Sequence, residues 1–170
     1  MVSGGRPVIV MGVSGSGKTT VGTRVAQELG VAFIDGDALH PVANKEKMAA
    51  GRALDDADRY PWLARIGAEL AEATANGRPV VIACSALRRS YRDALRAAEP
   101  TTRFVYLKGD GPLIGERMAQ RHHEFMPASL LQTQLETLEP PGPDEEAITV
   151  DIGQDLDLVV EAVTALLQAD

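Results

Sequence analysis

Cysteine is all but missing: the chain has one, Cys84, in 170 residues. A single thiol cannot close an internal disulfide, which excludes a disulfide-stapled scaffold and predicts a reducing, cytoplasmic setting. Within the apolar run VVIACS, it reads as a small buried hydrophobe rather than a nucleophile. Long hydrophobic runs are missing too. No apolar stretch approaches the ~18 residues of a membrane span, and MVSGGRP lacks the apolar stretch of a secretory leader. Excess positive charge is also absent, since 17 Lys and Arg against 24 Asp and Glu leave a net charge of -7. That balance argues against a nonspecific nucleic-acid or membrane surface. Histidine is sparse, with three in all, two of them the adjacent His122 and His123. Neighbours on a helix do not face one ligand site, and no third His or Cys is suitably spaced, so no metal centre is expected from them.

With 45% apolar residues the chain can bury a real core, and residues 1–170 are expected to form one domain. Short β-branched or aromatic runs alternate with longer helical patterns, the signature of an α/β fold with a parallel sheet. Five strands are predicted, in PVIVMG, VAFIDGD, RPVVIACS, TRFVYLKG and AITVDIG. Helices are predicted in TTVGTRVAQELG, WLARIGAELAEA, SYRDALRAAE and LDLVVEAVTALLQ, the last with Val159, Ala162, Val163, Leu166 and Leu167 on one face. The prolines of LEPPGPDEEA forbid regular structure there and predict a turn into the last strand.

The stretch GVSGSGKTT directly follows the first strand. Gly12, Gly17, Lys18 and Thr19 fit G-x-x-x-x-G-K-[ST]. In that loop successive N–H groups form an anion nest, the lysine reaches the outer phosphates, and the hydroxyl binds Mg²⁺. A helix dipole behind the loop adds to the attraction. Gly12, Val13, Ser14, Gly15, Ser16, Gly17, Lys18, Thr19 and Thr20 are therefore the expected ATP-phosphate cradle.

In open α/β sheets ligands sit beyond the carboxyl ends of the strands. The second strand ends in Asp35-Gly36-Asp37. Residues two apart on an extended strand project to the same side, and such a pair suits either magnesium water ligands or a base for a substrate hydroxyl. Asp37 is assigned to the hydroxyl, as catalytic base, and Asp35 to the metal with Thr19. In the polar segment Asn44 to Trp62, read as a solvated helix-loop-helix, the cluster Asp55 to Asp58 can cap the next helix. Arg59, held by a turn at Pro61 and an anchor at Trp62, suits an anionic substrate group. Arg88, Arg92 and Arg96 share a helix face; Arg88 is placed toward the site, and a solvated stripe accounts for the other two. Arg117 and Arg121, one turn apart, have the form of a lid over ATP phosphates.

DGD-x-x-HP from Asp35 to Pro41, Asn44-x-x-Lys47-Met48-x-x-Gly51, Asp56-x-Asp58-Arg59-x-Pro61-Trp62-Leu63, Cys84-Ser85-Ala86-Leu87-Arg88 and Leu138-Glu139-Pro140 together closely resemble the bacterial-type gluconate kinases of the shikimate-kinase-like P-loop group. The resemblance runs over nearly the whole chain. It implies a three-layer P-loop kinase sandwich with strand order 2-3-1-4-5 and a helical lid at about residues 117–139. The activity it implies is Mg²⁺-dependent transfer of the ATP γ-phosphoryl group to D-gluconate by a cytoplasmic homodimer. It implies that Lys18, Asp37 and Arg121 act in catalysis, that Arg117 and Arg121 join the nucleotide cradle, and that Asp37, His40, Arg52, Arg59, Ser85 and Arg88 contact gluconate. In the lid this chain departs from the family's R-x-x-x-R-x-x-HF, because RHHEFM places Glu124 between His123 and Phe125.

The residues alone leave open a shikimate or nucleoside monophosphate kinase on the same scaffold. A small-GTPase-like switch needs N-K-x-D after the fourth strand. The Asn44-Lys45 pair follows the second strand instead and lacks the Asp. An inactive binding module is disfavoured by the intact Lys18-Thr19 pair.

Overall fold

Val8, Ile9, Val10 and Met11 are all buried, although successive side chains on a strand point to opposite faces. The strand is therefore covered on both sides, as expected of a parallel sheet between helical layers. The computed structural model describes residues 5–109 and 128–169. Within them the elements run β1 (Val8–Met11), α1 (Lys18–Leu29), β2 (Ala32–Asp35), a 3-10 turn (Gly36–Leu39), α2 (Val42–Ala49), α3 (Asp56–Ala75), β3 (Val80–Ala83), α4 (Arg89–Ala98), β4 (Arg103–Lys108), α5 (Ala128–Thr137), a second 3-10 turn (Pro143–Glu145), β5 (Ile148–Asp151) and α6 (Leu156–Gln168).

All five strands pair in parallel in the order β2-β3-β1-β4-β5. Val8 and Val10 join Val21, Val25 and Leu29 of α1 and Val159, Val160 and Val163 of α6 in one core. Ile9 and Met11 join Trp62, Leu63, Ile66 and Leu70 of α3 and Tyr91 and Leu95 of α4 in the other. The result is the three-layer α/β sandwich that the resemblance implies. Chain order reverses beside β1, whose neighbours are β3 and β4, and that places a crevice at the carboxyl end of β1.

Four local expectations change. Pro61 makes no turn: α3 begins at Asp56 and carries Pro61 within it. Ala57 and Pro61 are both exposed, so water can satisfy the carbonyl that the missing N–H leaves. Arg92 is no part of a solvated stripe; it is fully buried and ion-paired to Glu145 at 2.7 Å. Asp35 and Asp37 do not share an extended strand, because β2 ends at Asp35 and the chain tightens into the 3-10 turn. On α6, Val160 takes the buried place expected for Leu166, which is 48% exposed.

Candidate active site

The loop after β1 turns on glycine. Gly12, Gly15 and Gly17 all have positive φ, and Gly17, at φ 94°, is the N-cap residue of α1. A side chain at that φ would be strained, so the motif's glycine is a backbone requirement of the nest. The Gly12 N–H donates to the Ser85 carbonyl at 3.3 Å, fastening the loop to the end of β3. Lys18 Nζ donates to the Val13 carbonyl at 3.0 Å, which folds its ammonium over the loop. Among the described residues, Ser16 Oγ is buried without a hydrogen-bond partner. That orphaned hydroxyl, the glycine-built loop at the N-terminus of α1 and the hard oxygen donors of Thr19 and Asp35 fit a nucleotide with Mg²⁺.

The second wall is the turn after β2. Asp35 Oδ1 accepts the Asp37 N–H at 3.0 Å and so caps the turn. Gly36 is obligatory for another reason, since a Cβ there would lie 2.3 Å from the Ala83 carbonyl oxygen. Trp62 Nε1 donates to the Gly36 carbonyl at 2.8 Å and stacks on His40, with ring centroids 4.0 Å apart. Desolvation in the cleft pushes the Asp37 carboxyl above its ordinary value; Lys18 opposes that shift and Asp35 adds to it. Burial holds the His40 imidazole down to about 4, with Lys45 and Arg59 working in the same direction, so the ring is neutral near pH 7.

The third wall comes from α3 and α4. Arg59 Nη1 donates to Tyr91 Oη at 3.0 Å, and its guanidinium lies 5.4 Å from the Tyr91 ring centroid. Tyr91 in turn donates to Asp56 Oδ1 at 2.5 Å. The arginine is therefore aimed by its contacts, with its side chain 16% exposed. From α5, the Gln134 Oε1 accepts the Ser14 N–H of the glycine loop at 2.6 Å.

One cavity brings together Ser14, Lys18, Asp37, His40, Arg52, Arg59 and Ser85, all expected from the sequence. Arg88 is not brought in; it is the exposed N-cap residue of α4 and does not line the cavity. Asp35 does not line the cavity; its carboxylate accepts the Asp37 N–H instead. Arg117, Arg121, His122 and His123 lie outside the described residues. The cavity also has lining residues that sequence reasoning missed: Met48, Tyr91 and, from α5, Thr133, Gln134 and Thr137. Thr133 and Thr137 are four apart, the spacing of one helix face, and that was the available signal. Cys84 is buried, and burial pushes its thiol up to about 12, so it is inert as expected.

A glycine nest on a helix N-terminus, with its lysine lining the same cavity as a desolvated carboxylate, defines a P-loop phosphotransferase. Residues 8–141 match the family described as an AAA domain. The chain is 48% identical to the gluconokinase of Gluconobacter oxydans, covering 97% of this chain and 93% of that one. It is 44% identical to the thermoresistant gluconokinase of Escherichia coli over 94% of this chain and 92% of the other. A crystal structure of a gluconokinase from Sinorhizobium meliloti superposes with a TM-score of 0.88 at 50% identity, covering 96% of this chain and 92% of that one. The chain belongs to the gluconokinase family.

Proposed function

We infer that this protein phosphorylates D-gluconate, moving the γ-phosphoryl group of ATP to the 6-hydroxyl and releasing ADP and 6-phosphogluconate. The observation that carries the reading is the single cavity joining the Lys18 side of the phosphate nest to Asp37 and Arg59. As the new O–P bond forms and the bond between Pγ and the β,γ-bridging oxygen breaks, Asp37 accepts the hydroxyl proton. Lys18 offsets charge that moves toward the leaving oxygen. Arg59, oriented by Tyr91, pairs with the sugar-acid carboxylate, while Arg52, His40 and Ser85 meet its polar groups.

Thr19 and Asp35 would hold Mg²⁺, Asp35 through water; bound there, the ion neutralises phosphate charge. Arg117 and Arg121 are proposed to close over the phosphates, and Arg88 to approach the carboxylate only on closure. On resemblance to the family we also propose a cytoplasmic homodimer.

The deciding measurement is ADP release from Mg·ATP against gluconate, other aldonates, shikimate and nucleoside monophosphates. Gluconate should dominate, and Lys18→Ala should lower its turnover by several orders of magnitude with unchanged far-UV circular dichroism. Preference for shikimate or a nucleoside monophosphate would overturn the reading.

A further inference from the structure

Asn44 does not line the cavity, yet it is one of few buried polar residues, 4% exposed. Its Nδ2 lies 2.8 Å from the Asp58 main-chain carbonyl oxygen and 3.1 Å from His40 Nδ1. A main-chain carbonyl can only accept, so the first contact fixes which end of the amide is nitrogen. An amide nitrogen can only donate, so the second contact requires a bare lone pair on His40 Nδ1. A neutral imidazole that accepts at Nδ1 carries its proton on Nε2. The plane of the ring is held by its stack on Trp62, at an interplanar angle of 15°, and by burial, His40 being 5% exposed.

We propose that Asn44 is a positioning residue that holds His40 in its Nε2–H tautomer, so that the site presents a fixed donor beside Asp37 to an oxygen of the substrate. His40 Nε2 is 4.0 Å from Asp37 Oδ1, beyond direct hydrogen-bond length. A substrate hydroxyl placed against both groups accepts from Nε2–H and donates to the Asp37 carboxylate. The pair thus reads a hydroxyl by its two polarities, and an analogue lacking that hydroxyl leaves both groups unpaired. This rests on the reading of Asp37 as the acceptor facing the sugar acid. The groups facing the ring are Asp37, Lys45 and Arg59; burial first, and then the two cations, keep it neutral, as the tautomer requires.

Long-range proton–nitrogen correlation spectra of ¹⁵N-labelled protein at pH 7, without ligands, read the tautomer directly. The His40 signals are those lost in His40→Gln. Wild type should show the Nε2–H pattern, and Asn44→Ala should show a mixture with Nδ1–H. Kinetically, Asn44→Ala should raise KM for gluconate about 10-fold with KM for ATP unchanged. His40→Gln, whose amide N–H can stand near the Nε2 position, should hold KM closer to wild type and make Asn44→Ala nearly silent on top of it. An Nδ1–H or doubly protonated ring in the wild type would overturn the proposal. So would a folded Asn44→Ala enzyme with wild-type KM. The spectrum needs no substrate, so it stands apart from any failure of the gluconate assay.

Discussion

Asp35 and Asp37 flank a single glycine and meet the cleft differently. Asp37 lines the cavity and is desolvated there, whereas Asp35 spends one carboxylate oxygen on the Asp37 N–H at 3.0 Å. The difference makes asparagine an informative substitution at both positions. Asp37→Asn keeps size but cannot take the hydroxyl proton, so turnover should fall about 10²-fold or more while Mg·ATP affinity stays nearly intact. Asp35→Asn retains an amide oxygen to cap the turn, so the loss is one of charge, seen as a raised magnesium requirement. Titration calorimetry beside turnover assays separates the two; if Asp37→Asn lost Mg·ATP binding and Asp35→Asn lost only chemistry, the roles would be exchanged. At this scale the sequence was legible wherever chemistry is local. Gly12, Gly17, Lys18 and Thr19 lie within one short loop, and their spacing carries their function. Gln134 was not legible, since its contact with Ser14 spans 120 positions and a helix residue gives no sign of the loop it will meet.

Among the elements, α3 depends most visibly on its first residues. Asp55 Oδ1 accepts the Asp58 N–H and Asp58 Oδ2 accepts the Asp55 N–H, each at 2.9 Å, a reciprocal capping box. Lys47 of α2 donates to the same Asp58 oxygen at 2.7 Å, which with the cap depresses the Asp58 carboxyl. The cap also starts the turn that carries Arg59 and Asp56. Asp55→Ala should therefore lower stability by about 1 kcal/mol, read as a shift in urea midpoint at unchanged slope. An unshifted midpoint would mean that tertiary packing alone sets the start of α3. The capping role is readable from Asp55 to Asp58, but the sequence places the helix start at Trp62, because proline usually marks a boundary. Here Pro61 sits on the exposed side, and packing of Trp62, Leu63, Ile66 and Leu70 outweighs the lost hydrogen bond.

Over the whole molecule, the chain from Leu138 to Ala147 reads as a turn and acts as a strap. Glu139 accepts the Arg89 N–H at 2.8 Å, serving as a cap for α4 from a distant segment. Asp144 pairs with Arg89 at 3.0 Å. Glu145, with its side chain 1% exposed, takes Arg92 at 2.7 Å and Arg96 at 2.6 Å. The strap thereby fixes α4, and with it Tyr91 and the aim of Arg59, to the chain entering β5. Spacing on α4 could not reveal this, because an arginine stripe looks solvated until its partner is brought from about fifty residues away. Burial acts to raise the Glu145 carboxyl, but the hydrogen bonds from Arg92 and Arg96 outweigh it and hold the group at about 2, against 4.5 ordinarily. A depressed carboxylate contributes stability that is complete above the ordinary value and is lost as pH falls through the folded value. Glu145→Gln leaves buried Arg92 facing a neutral partner and should cost about 3 kcal/mol at pH 7. In urea unfolding the gap between variant and wild type should stay constant from pH 7 down to about 5, then narrow as the wild type itself becomes protonated. A gap that persisted unchanged at pH 2 would mean that Glu145 acts through shape rather than charge, and the strap would then be a packing device only.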